Sequence, residues 1–254
     1  IYARAFSLSK ETQGYLEQRG LGSKELWKAF GLGFADGSLM STIPTEGEIV
    51  DHLKAVGLLT KDGKEFFMGC VVVPLTHPDH GVTGFYGRRI SSKAKVKHLF
   101  LPGPRRGVLN WQALKAGPEI TITESVFDAL SLWVAGVRDV SCLFGVSSVP
   151  IDLREALERY QITEATFVLD GDRAGREAAG ARAAELLELG ITSYAVLLPE
   201  GRDPNDLLVS EGPEALKGYL GKRVVLAEPE KPGFSLEETD DGFEIRSGDI
   251  TYRA

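Results

Sequence analysis

The sequence has few cysteines and no long apolar run, and each shortage excludes a class of protein. Its two cysteines, Cys70 and Cys142, lie in apolar segments, which disfavours a disulfide framework or a cysteine zinc site. No apolar run approaches the ~20 residues that cross a bilayer, and residues 1–10 lack the apolar core of a signal peptide. We therefore expect a cytoplasmic globular protein with no membrane partner. Because the chain does not begin with Met, we expect a piece of a longer protein.

Acidic residues are missing between Asp79 and Glu119, although the whole chain has a net charge of −7. Residues 1–116 contain 16 Lys and Arg against 10 Asp and Glu, whereas the remainder contains 13 against 26. The cations in the gap are Arg88, Arg89, Lys93, Lys95, Lys97, Arg105, Arg106 and Lys115. This split predicts a polyanion bound by the basic part and metal-dependent chemistry on the acidic part. A solvated basic loop is the alternative.

Two patterns of secondary structure follow one another along the chain. The first part predicts short helices, then a hairpin with Arg88 and Arg89 at its far end, then a loop over residues 91–111. From Glu119 onwards, four short apolar strands alternate with helices. This alternation predicts an α/β fold with a parallel sheet covered by helices on both faces. Residues 242–254 predict a further hairpin around the Ser-Gly-Asp sequence at 247–249.

Carboxylates follow three of the predicted parallel strands. Glu124 ends the first strand, with Asp128 one helical turn further on. Asp170 and Asp172 end the third strand, and Asp203 and Asp206 follow the fourth. Because ligands bind beyond the carboxyl ends of the strands in such sheets, we expect these groups to converge.

Crowded carboxylates without His or Cys are the ligands that Mg²⁺ or Mn²⁺ prefers over zinc. The sequence therefore predicts a site for two such ions, which would serve phosphoryl or nucleotidyl transfer. Gly171, between the two aspartates, would permit a tight turn. Taken singly, Asp172 could instead cap the following helix, and Asp203 could be a plain turn residue before Pro204.

The same residues resemble a Toprim domain, the metal-binding catalytic fold shared by bacterial primases, topoisomerases and OLD-family nucleases. The segment TESVFDAL is similar to the Toprim Glu-Gly-x-x-Asp motif, with Ser125 in place of glycine. LDGDRAGREAA is similar to the primase form of the Asp-x-Asp motif, and in LPEGRDPNDLL Asn205 stands where a second Asp is frequent. The resemblance implies that Glu124, Asp170 and Asp172 are catalytic. The implied metal ligands are Glu124, Asp128, Asp170, Asp172, Asp203 and Asp206.

The basic part resembles the start of a DnaG-type primase catalytic core. In this resemblance Arg88 takes a family basic position and Lys97 a family lysine, while Phe100 replaces an expected Asn and Arg106-Gly107 replaces a Lys-Gly pair. The diverged loop also resembles primase-like regions of large plasmid or phage replication proteins. The implied contacts to nucleic acid or NTP come from Arg88, Arg89, Lys93, Lys95, Lys97 and Arg106.

The resemblance implies three parts: a basic α+β subdomain over residues 1–116, a Toprim domain over 117–222, and a linker with a β-hairpin over 223–254. It implies a primase that makes short RNA primers on a single-stranded DNA template from NTPs, with Glu124 or a metal-bound hydroxide as general base. A replicative helicase would bind through regions outside this chain. Two alternatives stay open: a Toprim nuclease, and a non-catalytic nucleic-acid-binding module.

Overall fold

The computed structural model describes residues 1–145, 147–229, 234–239, 242–247 and 250–253. Most of these residues form two lobes, each built around its own sheet. We call residues 1–116 the basic lobe and residues 117–229 the sheet lobe. The two lobes share one continuous apolar core, which fixes their positions relative to each other.

The basic lobe has five helices around a four-stranded antiparallel sheet of order β1-β2-β3-β4. Its helices are α1 (Tyr2–Leu8), α2 (Lys10–Gln18), α3 (Lys24–Ala29), α4 (Ser38–Thr42) and α5 (Glu48–Ala55). Its strands are β1 (Gly33–Phe34), β2 (Cys70–His77), β3 (Gly81–Arg89) and β4 (His98–Phe100), and a 3₁₀ helix follows at Trp111–Lys115.

The predicted helices and hairpin of the basic lobe are confirmed. The side chains of Ser9 and Ser23 accept hydrogen bonds from the first turns of α2 and α3, which fixes where these helices begin. In the hairpin, Arg88 pairs with Val71 at the predicted far end. The expectation of a loop over 91–111 is wrong in part, because His98 and Phe100 pair with Arg88 and Tyr86 to form β4. The sequence before β4 is polar and rich in lysine, so the sequence pattern does not indicate this strand.

The sheet lobe is an α/β unit, as predicted. Its strands are β5 (Glu119–Thr123), β6 (Val140–Cys142), β7 (Glu164–Val168), β8 (Thr192–Ala195) and β9 (Val224–Ala227), in the order β6-β5-β7-β8-β9. Its helices are α6 (Val126–Val134), α7 (Ile151–Arg159), α8 (Arg173–Leu187), α9 (Pro204–Glu211) and α10 (Pro213–Leu220). The first four strands of the sheet are parallel, and β9 joins antiparallel to β8. Residues 224–227, expected in the linker, therefore belong to the sheet; the rest of the domain division stays a prediction.

Helix α6 is the element on which the two lobes meet. The residues from Val126 to Trp133 are all buried, because one side of the helix faces the sheet and the other faces the basic lobe. Phe127 packs against Tyr15 and Tyr86, and Trp133 packs edge-on against Phe30. The basic lobe is thereby fixed next to the loop that precedes α6, where Glu124 lies.

Three short strands follow the sheet lobe: β10 (Phe234–Thr239), β11 (Gly242–Ser247) and β12 (Ile250–Arg253). Antiparallel pairing of β11 with β12 confirms the predicted hairpin, whose turn lies outside the described residues. Among the described residues, no helix combines the length and the apolar character that crossing a bilayer requires.

Candidate active site

The acidic residues lie on three loops at one edge of the parallel sheet. Glu124 follows β5, Asp170 and Asp172 follow β7, and Asp203 lies on the loop after β8. Because β5, β7 and β8 are neighbours and parallel, their carboxyl ends meet. Glu124 interacts electrostatically with all three aspartates. The structure thus brings together carboxylates that are up to 79 positions apart in the sequence.

Each of the three loops runs into a helix whose first turn is capped by a side chain of the loop. Ser125 Oγ accepts a hydrogen bond from the Asp128 amide at 3.4 Å. Asp172 Oδ1 accepts one from the Gly175 amide at 2.7 Å, and Asp203 Oδ1 accepts one from the Asp206 amide at 2.6 Å. The caps fix the loops, and three helix N-termini direct their partial positive charge at the same edge. Capping by Asp172 uses one carboxylate oxygen.

Gly171 is required by a close approach of two loops. A Cβ at this position would lie 2.1 Å from the carbonyl oxygen of Pro199. The Gly171 amide donates to Arg202 O at 2.8 Å, and its carbonyl accepts from Gly201 at 2.9 Å. The glycine therefore lets the loop after β7 bond directly to the loop after β8, which brings Asp170 beside Asp203.

Burial and mutual repulsion raise the pKa of the carboxyl groups at this edge. The pKa of Glu124 rises to about 7, first because of burial and then because of Asp170, Asp172 and Asp203. The pKa of Asp170 rises to about 6 for the same reasons, with Asp203 as its strongest acidic neighbour. These shifts mean that the protein's own groups leave the negative charge of the edge uncompensated.

The donor chemistry of this edge fits a hard divalent cation such as Mg²⁺ or Mn²⁺. Its exposed oxygens are carboxylates, and their raised pKa values show that a nearby positive charge would stabilise them. Within the part of the chain that the structure describes, no three His, Cys, Asp or Glu side chains already surround one point as ion ligands. Since Mg²⁺ usually takes one or two protein carboxylates together with water and phosphate oxygens, the open arrangement suits it.

The six predicted metal ligands do not share one environment. Glu124 and Asp170 are half-buried, whereas Asp206 is exposed. Asp128 is 5% exposed and lies beneath the loop, where its Oδ2 accepts a hydrogen bond from Ser125 Oγ at 2.5 Å. Burial raises the pKa of Asp128 to about 8, with Asp203 and Asp170 adding repulsion. Asp128 is thus hydrogen-bonded to the loop that carries Glu124, and its role as a metal ligand stays a prediction.

Asn205, at the position where the resemblance expects a second acid, joins the two lobes. Its Nδ2 donates to Arg19 O and to Ser131 Oγ, both at 2.9 Å, and its Oδ1 accepts from Arg19 Nη1 at 2.9 Å. The side chain is 3% exposed. All these contacts tie α9 to α2 and α6. Arg19 was not among the predicted site residues, since a lone arginine before a helix-ending glycine carries no signal of its partner.

The predicted cationic residues of the basic lobe fall into two groups. Arg88 is half-buried: its Nε donates to Tyr15 OH at 3.3 Å, its Nη1 bonds His98 Nε2, and it lies over the Phe127 ring. Arg89 Nη1 donates to Met68 O, and Lys97 Nζ donates to the carbonyls of residues 91 and 92. Lys93 and Lys95 are exposed on the loop before β4. Of the six predicted contacts, Lys93, Lys95 and Arg106 are exposed to solvent.

Arg106, the sixth predicted contact, lies against a buried carboxylate of the sheet lobe. Its Nε is 3.4 Å from Asp152 Oδ1 on α7, and the next residue, Gly107, donates its amide to Asp152 Oδ2 at 2.5 Å. A Cβ at Gly107 would lie 2.7 Å from Thr83 Oγ1, so the loop is held tightly at this point. The Arg106–Asp152 pair anchors the basic loop on the sheet lobe.

A cavity of about 270 Å³ opens between the basic loop and the carboxylate edge. Its lining includes Tyr86, His98, Phe100, Arg105, Glu124 and Phe144. None of the six predicted basic residues is among the described residues that line it. Arg105, which the sequence analysis counted as a cation without giving it a role, takes their place.

Comparisons with known proteins match both lobes. Residues 2–103 match the family described as DNA primase catalytic core, N-terminal domain, and residues 121–208 match the family described as Toprim-like. A DNA primase of Aquifex aeolicus is 29% identical over 243 residues, which are 90% of this chain and 48% of that relative. The chain therefore spans about half the length of this relative.

Solved primase structures share the fold. The crystal structure of the Aquifex aeolicus primase with its zinc-binding and RNA polymerase domains superimposes with a TM-score of 0.76 at 26% identity, over 89% of this chain and 59% of that one. A DnaG primase catalytic domain bound to single-stranded DNA gives the same TM-score and identity over 89% of this chain and 76% of that one. The similarity therefore extends over most of both lobes.

Proposed function

The chain belongs to the DnaG-type family of DNA primase catalytic cores, and on that premise we propose that it synthesises short RNA primers on single-stranded DNA. The reaction would join ribonucleoside triphosphates under the direction of the template, with a divalent metal ion as cofactor. It would take place in the cytoplasm, during replication of a bacterial chromosome, plasmid or phage.

One observation carries this proposal: the carboxylates of three strand-end loops converge at one edge of the sheet, and Glu124 of that group shares a cavity with Arg105 of the basic loop. A nucleoside triphosphate needs cations for its phosphates, and a metal ion held by the carboxylates would add to those of the protein. The arrangement supports transfer of a nucleotidyl group at this edge.

We assign the metal to Glu124, Asp170 and Asp172, with Asp203 before α9 and Asp206 in the first turn of α9 as further oxygen donors. A bound Mg²⁺ or Mn²⁺ ion supplies positive charge beside the triphosphate. We propose two ions, which would place positive charge on both sides of the reacting phosphorus. Asp128 then holds the Glu124 loop through its hydrogen bond with Ser125.

We propose that Glu124, or a metal-bound hydroxide, accepts a proton from the 3′-hydroxyl of the growing primer. Glu124 lines the cavity beside the carboxylates that we assign to the metal, and a carboxylate can act as a general base. Asp170 and Asp172 lie on the neighbouring loop, which Gly171 fixes against residues 199–202.

Template binding falls to the exposed cations of the basic lobe. Lys93, Lys95 and Arg106 are exposed, and the half-buried Arg88 lies on β3 of the same lobe. Lysine and arginine contacts with phosphates give binding that weakens as salt rises. A replicative helicase would contact a region of the protein outside this chain.

The nuclease and the non-catalytic alternatives are not favoured, because the matched relatives and catalytic-core structures are primases. The decisive experiment is de novo RNA synthesis on single-stranded DNA templates with Mg²⁺ or Mn²⁺, comparing wild type with Asp170→Ala and Glu124→Ala. A matched control is Glu155→Ala, which removes an exposed carboxylate from α7.

We expect RNA products from wild type and the control, and none from the two site variants. Wild-type synthesis by Asp170→Ala would overturn the proposal. Incubation of labelled DNA with Mn²⁺ and without NTPs tests the nuclease alternative, since cleavage would favour it. If the gene encodes a longer protein, that protein should be assayed in parallel.

A further inference from the structure

The rings of Tyr86, His98, Phe100 and Phe144 and the planar guanidinium of Arg105 form much of the wall of the cavity beside Glu124. Phe100 packs edge-on against Phe144, with ring centroids 5.6 Å apart, and lies 5.4 Å from Tyr86. The Arg105 guanidinium lies over the Phe100 ring at 4.4 Å. Rings of this kind, with few polar groups between them, are the usual lining of a site for a flat organic ligand.

Arg105 is held in place rather than free to follow a phosphate. Its Nη1 donates to the carbonyl oxygen of Phe144, so the guanidinium is fixed between that carbonyl and the Phe100 ring. Gly145 follows in the same wall, and a Cβ there would lie 3.6 Å from Arg105 Nη1. The result is a planar cation with one face on an aromatic ring.

His98 contributes an uncharged ring to the same wall. Its Nδ1 is hydrogen-bonded to Tyr86 OH at 2.9 Å, and its Nε2 to Arg88. Burial and the positive charges of Arg88 and Arg19 lower the pKa of His98 to about 4. Both of its ring nitrogens are thus already bonded, and the ring is neutral at physiological pH.

These features distinguish a site for a heterocyclic base from a site for phosphate. A phosphate site presents several free donors, usually backbone amides or unpaired arginine and lysine side chains. Here His98 has both ring nitrogens bonded, Arg105 Nη1 is bonded to the Phe144 carbonyl, and much of the remaining surface is aromatic. Stacking on aromatic rings and arginine is the general way in which proteins bind a base of any sequence.

We propose that this cavity binds the base of the incoming ribonucleoside triphosphate, which stacks on the Arg105 guanidinium that the Phe100 ring supports from behind. The inference rests on the proposed function, because Glu124 in the same cavity then directs the triphosphate towards the carboxylate edge. Phe100 stands where the family resemblance expects Asn, so the stacking surface is a property of this chain's sequence. Arg105, and not Arg106, is the cation that contacts the nucleotide.

The test compares the affinities of two probes in the presence of Mn²⁺: ATP, and ribose 5-triphosphate, which lacks the base. Phe100→Leu removes the ring and keeps an apolar side chain, and Arg105→Lys keeps the charge and removes the planar group. We expect each change to weaken ATP binding about 5-fold or more. Binding of ribose 5-triphosphate should stay within about twofold of wild type for Phe100→Leu.

Matched controls make the same changes elsewhere. Phe66→Leu alters another half-buried phenylalanine of the basic lobe, and Arg138→Lys alters an arginine stacked on Trp133. Phe100→Tyr preserves the ring and should restore ATP binding. If Phe100→Leu does not fold, the comparison of Arg105→Lys with wild type decides the question.

Equal losses for both probes would place the triphosphate in the cavity and overturn the inference, as would unchanged ATP binding in both variants. Weaker binding of a single-stranded oligonucleotide with unchanged ATP binding would assign the cavity to the template and overturn it too. If wild type makes primers and the variants match it in ATP affinity, only this inference fails. If wild type binds ATP as expected and makes no RNA, only the proposed function fails.

Discussion

The guanidinium of Arg106 lies 3.4 Å from the carboxylate of Asp152, whose side chain is 1% exposed. Asp152 comes from α7 of the sheet lobe, and its second oxygen accepts the amide of Gly107. The basic loop is therefore held by a buried acid of the other lobe at the two residues that follow Arg105. This anchor explains how a loop rich in proline and glycine presents Arg105 to the cavity in one conformation.

We predict that Asp152→Ala destabilises the protein by about 2–4 kcal/mol, because it leaves the Gly107 amide without an acceptor inside the protein. Arg106→Ala should cost less than about 1 kcal/mol, since the Arg106 side chain is 54% exposed. Urea unfolding monitored by circular dichroism measures both. Equal costs for the two variants would contradict the view that Asp152 acts mainly through the backbone of the loop.

Asn205→Asp provides a second test of how the lobes are joined. The change restores the acid that the family resemblance expects, yet here it replaces an amide that donates to Arg19 O and Ser131 Oγ. We expect a loss of about 1–3 kcal/mol of unfolding free energy, because a buried carboxylate cannot donate to either group. The nearby Arg19 guanidinium offsets part of this loss. A variant as stable as wild type in a urea titration would show that the Asn205 donors are dispensable.

Exposed lysines of the basic loop should set the salt dependence of template binding. Lys93 and Lys95 are open to solvent, whereas Lys97 already donates to two backbone carbonyls. Lys93→Ala and Lys95→Ala should each reduce the slope of log affinity against log salt by about 1 for a single-stranded oligonucleotide. Lys61→Ala, at an exposed turn of the same lobe, is the control. Unchanged slopes would remove these two lysines from the template path.

The sequence predicts the sheet lobe well, because each strand is a short apolar run and each is followed by a helix. The convergence of Glu124, Asp170, Asp172 and Asp203 follows from that alternation alone, since carboxyl ends of parallel strands meet at one edge. Strand β9 could not be predicted in the same way: Val224–Ala227 is followed by a proline- and glutamate-containing segment, and only its antiparallel pairing with β8 defines it.

Contacts between residues that are far apart in the sequence could not be predicted. Asn205 and Arg19 are 186 positions apart, and nothing near either residue identifies its partner. The basic loop contains several cations of similar appearance. The contacts of Asp152 with residues 106 and 107, and those of Arg105 with Phe144 and Phe100, show that Arg105 is the one in the cavity. Gly171 was explained by a tight turn, but the structure shows that it accommodates the Pro199 carbonyl.

Divalent cations should stabilise the protein more at high pH than at low pH. Without metal, the folded state raises the pKa of Glu124 to about 7 and that of Asp170 to about 6. In the unfolded state the pKa values of both groups are near 4. Below that pH both groups are protonated in the folded and the unfolded state, so they do not reduce the unfolding free energy. As the pH rises towards 7, the folded state must lose protons that it holds more tightly, so stability falls.

The expected result is a larger Mg²⁺-induced increase in Tm at about pH 8 than at about pH 5, because only the ionised carboxylates gain from the ion. Thermal melts with Mg²⁺ and with EDTA at the two pH values measure it. An equal increase at both values would place the Mg²⁺ at groups that are ionised throughout this range.

Asp170→Asn separates repulsion at the carboxylate edge from any structural role of the side chain. In EDTA at about pH 8, the substitution should raise the unfolding free energy by about 1 kcal/mol, because it removes repulsion from Asp203 and Asp172. It should also reduce the Mg²⁺-induced increase in Tm, since one oxygen ligand is lost. Glu155→Gln, on the exposed face of α7, should change neither quantity. A lower stability of Asp170→Asn in EDTA would mean that protein groups compensate the charge of Asp170 and that the edge is not held ready for a cation.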